Sequence, residues 1–195
     1  MKDRLTRNCL GQAFAARSIR VRLLLIGMET RQLKKIYRSG AIGALMDEYE
    51  RAASELKRLI EQIPEDDFVR VVDAQTNSDD CRSAQTIMSH VVRAGYGYAD
   101  YIREQFSMAS TRPQPKLLSR QESLEQLDAA LRYTAQTLEG RWEMSDEEIS
   151  RTVIKSRWGV VYDVEGLLEH AIVHILRHRR QIEKFISREL ITVHP

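Results

Sequence analysis

The chain has 195 residues and a mass of 22.6 kDa, with 43% hydrophobic and 30% charged residues whose signs cancel to a formal charge of +2. That balance is ordinary for a soluble globular protein, and it excludes charge as a ground for assigning nucleic acid as a partner. A chain of this length buries roughly two-thirds of its unfolded surface, so one domain needs no disulfide framework, and no run approaches the roughly 18 apolar residues of a membrane span.

Residues 1–27 stand apart. Lys2, Arg4, Arg7, Arg17, Arg20 and Arg22 face a single acid, Asp3, and Leu23 to Ile26 is too short to be the core of a secretory signal. An arginine-rich transit segment, an additional helix, and an upstream extension before a true start at Met28 all remain open. Cys9 here and Cys81 downstream share no CxxC spacing, which points to a reducing, cytoplasmic setting. Residues 28–190 are expected to form the folded domain.

Ile42, Leu45, Met46, Tyr49, Ala52, Leu56, Leu59, Ile60 and Ile63 recur at steps of three and four, which predicts an amphipathic helix. Pro64 should close it, because proline removes a backbone bond and clashes with the preceding turn. Residues 65–80 are acidic, rich in turn formers, and read as a connection. Ser83 is the expected N-cap of a second helix carrying Ile87, Met88, Val91, Tyr98 and Ile102 on one side and ending near Met108. Gly95 and Gly97 either weaken this helix or let a neighbour approach closely.

Beyond Pro113 and Pro115, Ser123 is the expected cap of a third helix striped by Leu124, Leu127, Leu131, Thr134, Ala135 and Leu138, with Gly140 its stop. From Ile149 to Tyr162, β-branched residues flank a Lys155–Gly159 turn and predict a short hairpin or extended arm. Asp163 can cap the fourth helix, which runs to about Arg188 along Val164, Leu167, Leu168, Ala171, Ile175, Ile182, Phe185 and Ile186. The fold class is therefore all-α, a four-helix bundle with a short hairpin before the last helix.

Four of the five histidines fall on two of these helices. His90 shares the inward side of the second helix, and alone reads best as a hydrogen-bonded core residue. His170, His174 and His178 follow one another at intervals of four on the fourth helix. Residues four apart share a face and can reach one ion, whereas residues eight apart are separated by roughly 12 Å along the axis. Spacing thus offers His170 with His174 or His174 with His178, and a solvent-edge row mixed with Arg177, Arg179 and Arg180 is the structural alternative. Those arginines could meet phosphates, but three at a helix end are more often a solvated face.

The segment HILRHRRQI, His174 to Ile182, resembles the ending of the DinB-like metal-binding family, and RSAQTIMSHVVRAGYGYADYI, Arg82 to Ile102, is similar to that family's second helix. The likeness follows the four-helix order from about Ile36 to Ile186. The resemblance implies a three-histidine site of His90, His174 and His178, with His170 left as an adjacent packed or proton-carrying group. Arg180 stands where many relatives look to have glycine, a departure that bears on local packing rather than coordination.

Three imidazoles leave an open position, the mark of a reactive rather than a closed metal site. Zinc comes first, with nickel, iron or manganese as alternatives. The resemblance implies activation of a low-molecular-weight thiol for S-transfer to an electrophile. The rivals are a metal-dependent hydrolase, for which Glu169 lies on the wrong face to be the base, and a non-catalytic stress-associated metal-binding protein. A small-molecule thiol and an electrophile are the expected partners, with no nucleic acid, no membrane and a homodimer as the assembly to test. Tyr96, Tyr98, Tyr101, Trp142 and Trp158 are candidates for pocket lining, although aromatics at such positions more often belong to the core.

Overall fold

A computed structural model describes residues 36–192, so the basic segment 1–27 and Cys9 lie outside the described residues. The elements run α1 (Gly40–Glu61), α2 (Glu65–Val69), a 3₁₀ turn (Asp79–Cys81), α3 (Ala84–Gln105), α4 (Arg120–Leu138), α5 (Asp146–Ser150), β1 (Ile154–Lys155), β2 (Val161–Tyr162) and α6 (Val164–Thr192). The four long helices form a ring in which α1 packs on α6 and α4, and α3 packs on the same two. Consecutive long helices α1 and α3 therefore sit across the ring from each other. None of the described helices is long and apolar enough to cross a membrane.

The predicted stripes are the core. Ile42, Met46, Leu56 and Ile60 from α1 meet Ile87, Met88 and Ile102 from α3, Leu127 and Leu138 from α4, and Leu167, Leu168 and Ile182 from α6, all essentially inaccessible to solvent. Each such side chain contributes roughly 1.5–3 kcal/mol on leaving water, which is why the periodicity alone selects the bundle. Gly95 serves close packing: a Cβ there would stand 3.3 Å from the Tyr49 hydroxyl and 3.5 Å from the Ala130 methyl.

The helices depart from the sequence expectations at four places. α1 stops at Glu61, and Pro64 opens α2 rather than closing α1, since a proline suits a helix start where no N–H bond is needed. α2 lies in a stretch expected to be a connection, and it is anchored by the fully buried Phe68. The cap of α4 is Ser119, not Ser123: Ser119 Oγ accepts the Glu122 N–H while the Glu122 carboxylate accepts the Ser119 N–H at 2.9 Å. This reciprocal box satisfies two otherwise free donors, and Ser123, one turn inside, bonds the Arg120 carbonyl and is buried. Ser145 and Glu148 form a like box at the start of α5, so Ile149 belongs to a helix and not to the hairpin.

Ser83 caps α3 as expected, with the Thr86 side chain completing the box at 3.0 Å. The hairpin is present but small: Ile154 pairs with Tyr162 and Lys155 with Val161 in antiparallel register. Asp163 Oδ1 accepts the Gly166 N–H at 2.7 Å at the start of α6, and Gly140 follows α4 with φ +76°.

Candidate metal centre

α3 and α6 pack side by side, and His90 from one meets His174 and His178 from the other. One ring nitrogen from each lies within 4.8 Å of the other two. His90 Nε2 and His174 Nε2 are 3.0 Å apart, and the His174 and His178 ring centroids are 4.5 Å apart. Two nitrogens that each bind one zinc ion at about 2.0–2.1 Å stand about 3.3 Å apart in tetrahedral geometry, so the spacing fits a shared cation. His178 is 2% exposed, and its Nε2 is buried with no hydrogen-bond partner.

The outer nitrogens of His178 and His90 are held by neighbours. His178 Nδ1 lies 3.1 Å from Gln181 Oε1, an acceptor, so Nδ1 carries the proton and Nε2 presents its lone pair to the cluster. His90 Nδ1 lies 3.1 Å from Asp80 Oδ2, and Arg93 Nη2 lies 2.6 Å from the same oxygen. Arg93 Nη2 also approaches His90 Nδ1 at 3.2 Å. Two donors cannot bond each other, so the Asp80 carboxylate takes both protons and His90 Nε2 is left as an acceptor. A carboxylate or amide behind each imidazole is the usual outer support of a metal-binding histidine.

Burial keeps these rings neutral. It presses His174 down to about 3, reinforced by His178, His90 and Arg177. His178 is lowered to about 4, first by burial and then by His90, while its Gln181 bond acts upward. His90 is also lowered, chiefly by burial and against the pull of Asp80. Neutral imidazole is the form that binds a metal.

His90 and His174 open onto a cleft of about 910 Å³, whereas His178 is buried and does not line it. Tyr98, Tyr101 and Trp158 line this cleft; Tyr96 packs on Tyr133 outside it, and Trp142 lies under Arg38 at 5.2 Å. His170 stays out of the cluster. It stacks on Trp158 at 5.3 Å, meets Tyr98 edge-on at 5.4 Å, and has Nδ1 within 3.3 Å of the Tyr162 hydroxyl. Glu169 is exposed. The three arginines diverge: Arg177 faces the cleft, Arg179 pairs with Glu55 and Glu183, and Arg180 is exposed.

Sequence reasoning missed Asp80 and Gln181 as supports of the histidines, and Arg157 and Arg177 as cleft residues. Gln181 was recognisable as the residue three past His178, on the same helical face. Asp80 belongs to the short 3₁₀ turn and Arg157 to the hairpin turn, too short for any periodicity to point to them. The model of one protein family, the DinB family, matches residues 33–188. No curated protein matches the chain.

Proposed function

As the chain belongs to the DinB family, we propose that His90, His174 and His178 hold one divalent metal ion, zinc foremost, whose open position serves a low-molecular-weight thiol in transfer to an electrophile. The observation that carries the metal is the buried, unpartnered Nε2 of His178 beside the two other imidazoles. A buried nitrogen left without a partner costs about 1–3 kcal/mol, and a cation removes that cost. When bound, the metal lowers the pKa of a thiol and holds the sulfur for attack.

The rest is done by the chain. Gln181 and Asp80 fix the tautomers of His178 and His90, so these two offer their Nε2 lone pairs without rearrangement. Tyr98, edge-on to His174 at 5.6 Å, has its phenol pushed up to about 12 by burial and stays neutral. Trp158 and Tyr101 wall the cleft on the hairpin side. The cleft-lining Asp100 is engaged by Arg112, Ser110 and Tyr133, and Asp80 by His90 and Arg93. Neither is free to act as the base that hydrolysis needs, and the remaining cleft carboxylate, Glu104, stands 14 residues past His90 on α3, roughly 21 Å along the axis, which favours thiol transfer.

The same ion would join α3 to α6, so a purely structural role is the rival. Chelation of the full chain separates the two. Retained helicity with lost transfer activity, across a panel of thiols and electrophiles, supports catalysis. Unfolding on chelation, with no turnover by the loaded protein, overturns it.

A further inference from the structure

The charges around the cleft are unequal. Four guanidinium groups line it, those of Arg93, Arg112, Arg157 and Arg177, against the carboxylates of Asp100 and Glu104. Arg112 is bound to Asp100 at 3.0 Å, and Arg93 to Asp80. Arg157 and Arg177 form no ion pair among the described residues, although most other arginines of the bundle do.

Both are placed by rigid elements. Arg177 follows His174 by three residues on α6, one turn along the same face, so its guanidinium hangs beside the cleft side of the histidines. Its charge is felt at all three of them and at His170. Arg157 sits in the hairpin turn. Its N–H donates to the Tyr101 hydroxyl at 2.9 Å, and Gly159, at φ +89°, closes the turn with an N–H to the Ser156 carbonyl at 3.0 Å. Ser156 Oγ braces the turn further by donating to the Val160 carbonyl at 2.7 Å.

We propose that Arg177 and Arg157 form a carboxylate-binding subsite of the cleft, so that the ligand taken there carries an anionic group as well as the group presented to the histidines. A planar guanidinium pairs with a carboxylate through two parallel N–H bonds, and an unpaired one beside a site is suited to that role. The carboxylate belongs to the thiol or to the electrophile. Only that allocation rests on the thiol function proposed above.

The test uses the full chain loaded with cobalt(II), titrated with mercaptopropionate, mercaptoethanol and cysteamine, and read by the sulfur-to-cobalt charge-transfer band. Parallel heteronuclear NMR follows the arginine Nε–H signals of metal-free protein titrated with glutarate. Wild type should bind the anionic thiol roughly tenfold more tightly than the neutral one, the scale of one charge-assisted bond at an exposed site, and the cationic thiol least. Arg177→Gln should erase that preference and Arg157→Gln reduce it, while Arg177→Lys keeps part of it. An unchanged cobalt spectrum before thiol is added shows that the variants retain the metal site.

Equal affinities, with glutarate still shifting the Arg177 and Arg157 signals, assign the carboxylate to the electrophile. Absence of any charge-transfer band defeats the thiol function alone, and the glutarate shifts then decide the subsite by themselves. Thiols bound without regard to charge, or not bound at all, together with arginine signals that glutarate does not move, overturn it.

Discussion

Two polar clusters in this bundle, each built around a buried side chain, differ in kind. Near the start of α1, Asp47 is 3% exposed, yet its two oxygens accept from the Arg38 N–H at 3.0 Å and from Arg38 Nη1 at 2.5 Å. The same guanidinium bonds Glu50 through both terminal nitrogens, at 2.9 and 2.7 Å. At the α3–α6 seam, His178 is as deeply buried but leaves Nε2 without a partner. The one other such nitrogen among the described residues, Arg179 Nε, still has the Glu183 carboxylate at 3.3 Å. A polar cluster that closes on itself holds the fold, whereas one that stops short of closure is shaped for something it does not contain.

The strongest way to break that contrast is to change the histidines. His174→Ala and His178→Ala should each reduce bound metal from about one ion per chain to near zero, and His90→Ala should weaken binding severely. His170→Ala should leave stoichiometry unchanged, because the ring packs among Tyr98, Trp158 and Tyr162 instead. Metal analysis of protein purified without added metal decides it, and full occupancy in all four variants defeats the site. Metal-free His178→Leu should be at least as stable to urea as metal-free wild type, since it removes a buried acceptor that costs about 1–3 kcal/mol unsatisfied. Clear destabilisation there would make the ring structural.

Acid probes the same cluster. In metal-free protein His174 titrates at about 3 and His178 at about 4, both below the ordinary value of 6.5 for a free imidazole. Between those limits the unfolded chain binds protons that the folded chain refuses, so stability falls as pH falls. The contribution is complete above about 6.5 and is lost progressively as pH drops toward the folded values. Urea midpoints of metal-free protein at successive pH values should decline from near 6.5 downward, and the decline should shrink in His174→Ala. A metal that needs neutral imidazoles should be released over a similar direction of pH change.

Asp47→Ala attacks the closed cluster. Removing the carboxylate strands part of the Arg38 guanidinium, which is about one-quarter exposed and keeps Glu50 as a partner. The full penalty for breaking a buried pair, about 3–5 kcal/mol, is therefore reduced to about 2 kcal/mol. Metal stoichiometry should not change. A variant that lost metal as well as stability would show that the two clusters are coupled through α1 and α6.

The fold was legible because apolar periodicity is a property of whole helices, and Ile42 to Ile63 or Val164 to Ile186 repeat it many times over. Caps were less so. Ser123 has the right chemistry for a helix start, but Ser119 has it with Glu122 three residues on, and the reciprocal bonds decide between them. Spacing on α6 left His170 and His178 as equal companions of His174. The structure brings His178 to His90, because those rings share the seam with α3, while His170 faces the aromatic side chains of the hairpin. Asp80 and Arg157 were hidden for a different reason: turns carry no periodicity, and only the folded chain shows which helix they lie against.

The smallest effect expected lies at Ser83, the cap of the helix that carries His90. Its hydroxyl accepts the Thr86 N–H at 3.1 Å, and Thr86 Oγ1 accepts the Ser83 N–H in return. Ser83→Ala removes the first bond and leaves a donor unsatisfied where the site is 2% exposed, so about 1 kcal/mol of stability should be lost in urea denaturation. His90 lies about two turns into the helix, beyond the reach of end fraying, and Asp80 and Arg93 hold it independently of the cap. Metal affinity should therefore move by less than about threefold, well below the roughly 10–100-fold expected when an outer support such as Asp80 is itself removed. A Ser83→Ala protein that bound metal as poorly as Asp80→Ala would mean that the start of α3, and not the seam between α3 and α6, sets the position of His90.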